Sequence, residues 1–138
     1  MKDRYSRQML LKEIGEEGQS KLDYKKVVIV GIGALGTVAA ELLARAGIGS
    51  LRLIDRDVVE ESNLQRQILF TEKDVGKSKS VMAAEKLKEI NSLIKIESYP
   101  LHLDPKNVSL LQDADLVLDC TDNLETRFLI NDHCRKEK

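Results

Sequence analysis

Gly31, Gly33 and Gly36 follow the apolar run Val27-Val28-Ile29-Val30 and lead into a stretch of small residues that starts at Ala34. Bare backbone therefore falls at a strand-to-helix turn. Gly31 permits the tight turn, Gly33 lets an anion approach the main chain, and Gly36 lets the helix pack closely on the strand. The unpaired N–H groups of the helix's first turn, from Ala34 onward, face the anion, and the helix dipole adds about half a positive charge. This arrangement suits a phosphate group, so the chain is expected to bind a nucleotide.

Asp55 lies nineteen residues after Gly36, at the end of a second apolar run. An acid there can hydrogen-bond a ribose hydroxyl, and that spacing alone makes a dinucleotide such as NAD the default ligand. Asp57, Asn63, Arg66 and Lys79 argue for a triphosphate instead, because its tail needs neutralising while a dinucleotide needs few extra cations. Arg66 would clamp phosphate oxygens through its planar fork, and Lys79 would supply a movable point charge. Asp122, after a fourth apolar run, is placed to hold a hard cation such as magnesium. Each of these types, taken singly, is commonly a solvated loop residue; their joint spacing carries the reading.

The elements that must position these residues alternate between strand and helix. Strands are expected at Val27–Val30, Ser50–Asp55, Ile94–Tyr99 and Asp115–Cys120. Between them run a helix carrying Leu35, Val38, Ala39, Leu42, Leu43 and Ala46 on its apolar side and closed by Gly47, a helix over Lys77–Asn91 burying Val81, Ala84, Leu87 and Ile90, and a short helix near Pro105–Leu111. Asn123 would cap a last helix that runs to the charged end at Lys138. Alternation with near-continuous apolar strands implies an α/β, Rossmann-like, doubly wound and mostly parallel sheet, with ligands outside the carboxyl ends of its strands. Ser6–Leu22 reads as helical within an N-terminal arm over residues 1–24, with Met9, Leu10 and Ile14 on one side and Gly15 and Gly18 interrupting it, free to dock on a partner.

The 138 residues suffice for one domain with a core, and 42% hydrophobic with 33% charged residues is ordinary for a globular protein. A net charge of −1 gives no field that would draw nucleic acid or membrane. Cys120 and Cys134 have no metal-ligand or disulfide-framework spacing, so no zinc site is expected, and a reducing cytoplasm fits best. No apolar run approaches the roughly 18 residues of a membrane span. His102 and His133 read as surface or packing residues, and the two cysteines as buried thiols rather than nucleophiles.

The segments Arg4-Tyr5-Ser6-Arg7-Gln8, Gly31-Ile32-Gly33-Ala34-Leu35-Gly36, Asp55-Arg56-Asp57, Ser62-Asn63-Leu64-Gln65-Arg66-Gln67, Val75-Gly76-Lys77-Ser78-Lys79 and Asp119-Cys120-Thr121-Asp122-Asn123 together resemble the ThiF/MoeB/HesA adenylyltransferase family, relatives of the ubiquitin-activating enzymes. The resemblance implies ATP, with magnesium, and attack on the α-phosphate by the C-terminal carboxylate of a ubiquitin-like sulfur-carrier protein ending in Gly-Gly. It implies Asp55 at the ribose, Asp57 and Asn63 lining the nucleotide site, Arg66 and Lys79 on phosphates, Asp122 on magnesium, and Arg7 reaching into the site of a partner in a homodimer. The family's pattern continues past the Cys120-Thr121-Asp122-Asn123 segment, so the chain reads as an N-terminal part or a shortened relative. The alternatives are a non-catalytic nucleotide- or carrier-binding module and, less favoured, an NAD-dependent oxidoreductase.

Overall fold

The structure is a computed structural model that describes residues 2–137; Met1 and Lys138, the ends of the expected arm and last helix, lie outside the described residues. Four strands, β1 (Lys26–Val30), β2 (Ser50–Ile54), β3 (Lys95–Tyr99) and β4 (Leu116–Asp119), form one sheet in the order β3-β2-β1-β4. All three pairings are parallel, with Val30 opposite Ile54 on one side and Asp119 on the other. The order turns back at β1, so β1 and β4 flank a switch point where a crevice opens beyond the strand ends.

Helices cover both faces because alternate β1 side chains are buried in opposite directions. Val27 and Ile29 join Leu51, Leu53, Ala40, Ala44, Met82, Ala83 and Leu87 in one core cluster, under α3 (Ala34–Ala46) and α4 (Lys79–Ile90). Val28 and Val30 join Ile54, Leu103, Leu111 and Ile130 in the other, under α5 (Leu124–Lys136) and a 3-10 turn at Val108–Leu111. On this second face Arg52 is ion-paired to Glu97 at 3.0 Å and stands 5.7 Å over the Tyr99 ring. The doubly wound parallel sheet is thus the observed architecture. Among the described residues no helix is long and apolar enough to cross a membrane.

Several local expectations are corrected. The apolar side assigned to α3 is largely its outer side: Leu35, Val38 and Leu42 are 70%, 39% and 63% exposed, whereas Gly36, Thr37, Ala40 and Ala44 are buried. The small residues face inward because the helix lies almost on the strand backbone. A β-carbon added at Gly36 would sit 1.9 Å from the Gly31 carbonyl oxygen. On α4 the buried face centres on Met82, Ala83 and Leu87, with Val81, Ala84 and Ile90 at its margins.

The N-terminal arm is three short pieces, α1 (Lys2–Tyr5), a 3-10 turn at Gln8–Leu10 and α2 (Gly15–Leu22); the helical path breaks before left-handed Gly15, φ 55°, but runs on through Gly18. It docks on its own chain. The Asn91 amide donates to the Tyr5 hydroxyl at 2.8 Å, Gln8 donates to the Ala46 carbonyl at 2.8 Å, and Arg4 donates to the Ile90 carbonyl at 3.0 Å. The arm therefore closes the carboxyl ends of α3 and α4. Left-handed Gly47 at the end of α3 leaves room for the Tyr5 ring.

Gly36→Ala is expected to remove about 3 kcal/mol of stability, since the overpacking falls on backbone that cannot rotate away. Urea denaturation checks this, and an unchanged midpoint would show that α3 does not need its close approach to β1.

Candidate functional site

A cavity of about 580 Å³ opens at the carboxyl ends of β1, β2 and β4, lined by the glycine turn, by Asp55 and Asp57 after β2, by the 60–67 loop, by Lys79 and by residues 120–123. Gly33 is the N-cap of α3 and offers no side chain to the helix's first N–H groups. Those groups remain available to an anion, and Ala34 and Leu35 are in the cavity wall. Thr37 is buried, its hydroxyl donating to the Gly33 carbonyl at 2.7 Å.

Asp55 is first a clamp on the turn. Its two carboxylate oxygens accept from the Ile32 and Asp57 backbone N–H groups, each at 2.7 Å. Burial raises its pKa above the ordinary aspartate value, and the two N–H bonds offset part of that rise. Each oxygen retains a second lone pair, so the carboxylate can hold the turn and still accept from ligand hydroxyls.

Lys79 is the first residue of α4 and is only 7% exposed, with its N–H donating to the Asp57 carbonyl at 3.0 Å. Among the described residues its ammonium has one ion-pair neighbour, Asp57, at 3.9 Å, and its charge also acts on the Asp55 carboxyl. With its stem packed away and no carboxylate within hydrogen-bond reach among the described residues, the ammonium can take a further anionic partner at the cavity.

Arg66 comes from the 60–67 loop, which Asn63 organises: Asn63 Oδ1 accepts from the Glu60 N–H at 2.9 Å, and its carbonyl accepts from the N–H groups of Arg66 at 3.2 Å and Gln67 at 2.9 Å. Asn63 is 7% exposed, so its main service is to shape this loop, although it also borders the cavity. Arg66 is exposed and donates to the Ser62 carbonyl at 3.0 Å, leaving most of its guanidinium fork uncommitted.

Asp122 is presented by a second clamp. Asp119, ending β4, accepts from the Thr121 N–H at 3.0 Å and hydroxyl at 2.6 Å, and from Arg127 Nε at 3.0 Å. Arg127 also donates to the Thr121 carbonyl at 3.0 Å, and Asn123 caps α5 by accepting from the Thr126 N–H at 2.9 Å. Between these ties the Asp122 side chain is exposed on the cavity wall. Burial works to raise the Asp119 pKa, but the Thr121 and Arg127 bonds outweigh it and hold the carboxyl below the usual range. Cys120, half-buried beneath the turn, has its thiol pKa raised by burial and by Asp119, which suits an inert thiol.

Of the sequence-predicted residues, Gly31, Gly33, Ala34, Asp55, Asp57, Asn63, Arg66, Lys79 and Asp122 border this one cavity. Gly36 does not; it lies behind the turn against the Gly31 carbonyl. Arg7 does not either, because the arm is anchored at the far end of α3, a helix of 13 residues and so about 20 Å long. The sequence reading missed Gln67, His102 and Thr126 as wall residues. Gln67 had a signal in its place next to Arg66, whereas His102 and Thr126 had none beyond following a strand and starting a helix.

A parallel sheet with an uncapped, glycine-floored helix terminus at its switch point defines a Rossmann-like α/β protein. The chain belongs to the ThiF family, whose model matches residues 5–138. It is 44% identical over 131 residues to a sulfur carrier protein adenylyltransferase of Thermus thermophilus, covering 94% of this chain and 48% of that protein. It is 47% identical over 140 residues to the sulfur carrier protein ThiS adenylyltransferase of Bacillus subtilis, covering 99% of this chain and 42% of that one. Among solved structures it resembles the Escherichia coli tRNA N6-threonylcarbamoyladenosine dehydratase in complex with ATP, with TM-score 0.92 and 30% identity, covering 99% of this chain and 56% of that one. The chain thus spans about half the length of these relatives.

The Asp119 clamp has a pH signature. A carboxyl held below its unfolded value of 3.8 contributes stability that is fully present above that value and is lost as pH falls through the folded value below it. Asp119→Asn is expected to flatten the acid limb of the melting temperature against pH below about pH 4. Thermal melts across that range check this, and parallel acid limbs would show that the clamp carries no stability.

Proposed function

We propose that this chain forms the nucleotide-binding part of an adenylyltransferase that uses ATP to activate the C-terminal Gly-Gly carboxylate of a ubiquitin-like sulfur-carrier protein. The observation that carries the reading is Lys79, a mostly buried side chain whose ammonium reaches the cavity wall and, among the described residues, has Asp57 as its one ion-pair neighbour, 3.9 Å away. Phosphate oxygens would supply the further anionic partner. The uncapped terminus of α3 and the free part of the Arg66 fork border the same space. The names of the sulfur-carrier adenylyltransferases at 44% and 47% identity support the carboxylate substrate, and the ATP-complexed neighbour supports the nucleotide.

In this reading the triphosphate runs over Gly31, Gly33 and Ala34 toward Arg66 and Lys79, and Asp55 accepts from the ribose hydroxyls while Asp57 and Asn63 close the wall. A carboxylate oxygen of the carrier attacks the α-phosphorus, the bond from that phosphorus to the bridging oxygen breaks, and pyrophosphate leaves with the electron pair. The nucleophile is already ionised, so positioning and neutralisation of spreading charge are what the protein must provide, without a general base.

Magnesium fits this chemistry as an ion shared with the phosphates. Among the described residues no group of three or more His, Cys, Asp or Glu side chains gathers to hold a metal. Magnesium needs only one or two carboxylates when phosphate oxygens and water complete its shell. Asp122 would be that ligand, and the ion would supply charge neutralisation on the phosphates.

Arg7 enters the proposal only through a second copy, because its anchored arm lies about a helix length from its own cavity. The exposed Leu35, Val38 and Leu42 run along α3 from the cavity wall toward the arm. Two α3 helices packed antiparallel on that stripe about a two-fold axis would bring each arm toward the other copy's cavity. A homodimer of this kind accounts for both features.

Carrier-dependent exchange of labelled pyrophosphate into ATP tests the activity. Arg66→Ala is expected to slow exchange by about 100-fold; exchange at background with the unaltered chain and a Gly-Gly carrier would sink the catalytic reading. Arg7→Ala and Lys79→Ala are each expected to be inactive alone, and an equal mixture to regain about a quarter of the exchange rate, since half the dimers are mixed and each of those holds one intact site. No recovery on mixing would remove the role of Arg7 in a partner's site.

A further inference from the structure

Gln67 is a polar side chain in a place built for an apolar one. It is 3% exposed, its carboxamide oxygen is buried with no hydrogen-bond partner, and it is followed by the core residues Leu69 and Phe70. Its backbone is fully used, the N–H donating to the Asn63 carbonyl at 2.9 Å and the carbonyl accepting from the Phe70 N–H at 3.1 Å. The loop therefore does not need the carboxamide to hold its shape. A methionine of similar length would fill the same space without stranding a carbonyl. What distinguishes glutamine is the other end of the amide. The Nε2 atom lies 3.6 Å from the point a β-carbon on Gly33 would occupy. That point is the bare backbone over which a phosphoryl group can approach.

We infer that Gln67 contacts the ligand's phosphoryl chain directly, with Nε2 donating to a non-bridging oxygen held between it and Gly33. The unpaired carbonyl is the cost of keeping that donor in place, carried with or without the ligand. The inference rests on the nucleotide reading and adds to it a residue whose role is to recognise phosphate, independent of the cations of Arg66 and Lys79. Glutamate at this position keeps the shape, removes the donor and adds a negative charge where the phosphoryl oxygen sits. Alanine at Gly33 places a methyl in ordinary contact with Nε2 and fills the phosphoryl's space, at a φ/ψ of −103°/−141° that lies outside the α and β regions of L residues.

The test compares ATP with adenosine by calorimetry, and thermal stability without ligand, for the unaltered chain and for Gln67→Met, Gln67→Glu and Gly33→Ala. The expected result for Gln67→Met is a melting temperature higher by about 2–4 °C, relieving the stranded carbonyl, with ATP affinity lower by about 10-fold and adenosine affinity unchanged. Gln67→Glu is expected to weaken ATP by more than Gln67→Met does, and Gly33→Ala to weaken ATP while lowering the melting temperature, since its φ/ψ lies outside those regions. ATP binding within twofold of the unaltered chain in Gln67→Met and Gly33→Ala overturns the inference alone. So does an equal loss of adenosine and ATP affinity, or a fall in the Gln67→Met melting temperature, either of which makes the carboxamide a packing group. An unaltered chain that binds no ATP overturns the nucleotide reading and this inference with it.

Discussion

The site depends on the contact between Gly36 and the Gly31 carbonyl, where an added β-carbon would come within 1.9 Å of the oxygen. That absence of a side chain lets α3 lie on β1 closely enough for its first turn to end at the strand's tip, instead of a side-chain diameter away from it. The same contact dictates the rest of the helix: only Thr37, Ala40 and Ala44 fit below, so the larger Leu35, Val38 and Leu42 are turned outward. Gly31 meets the neighbouring strand in a comparable way, its φ of 92° and the Cys120 carbonyl 2.6 Å from an added β-carbon leaving no room for any other residue. The turn is thus wedged between α3 and the end of β4, and Asp55 pins it from β2 through the Ile32 N–H. Three strands converge on a few backbone atoms, and those atoms gain the rigidity that recognition of an anion by the main chain requires.

The sequence exposed the parts of this design that follow from period and punctuation. Apolar runs gave the strands, Gly47 and Asn123 marked a helix end and a helix start, and the parallel order followed from strict alternation. The inward face of α3 was illegible because nearly every residue of the helix is apolar, so no moment separates a face of alanines from a face of leucines; only the strand's proximity does. Where the arm docks was illegible because it is set by tertiary bonds from Arg4, Tyr5 and Gln8 to the ends of α3 and α4, more than 30 residues away in sequence. Among site residues, charged groups with spacing were legible: Asp55, Arg66, Lys79 and Asp122 reach one cavity. Gln67 was not, because a neutral amide announces nothing until its burial and its missing partner are seen.

Where the polar groups are left wanting separates this cavity from the rest of the fold. Elsewhere, with His133 Nε2 the exception among the described residues, buried polar side chains are answered by the protein: Asn91, fully buried, donates to both Tyr5 and the Ala44 carbonyl, and Asp74 is bound by Thr71 and by Lys86 at 2.9 Å. Two of the three unpartnered buried side-chain atoms among the described residues, in Gln67 and Thr126, belong to the cavity wall. Lys79 adds an ammonium whose carboxylate neighbour stands too far away for a hydrogen bond. Around this crevice the Lys79 ammonium, most of the Arg66 fork and the first N–H groups of α3 are left open to a further acceptor. An anion bearing several oxygens is the kind of ligand that completes these donors, since it accepts at once from bare amides, an ammonium and a guanidinium, although the Gln67 carbonyl, itself an acceptor, stays unpaired beside it. Affinity would then come less from new apolar burial than from completing bonds that folding left unmade.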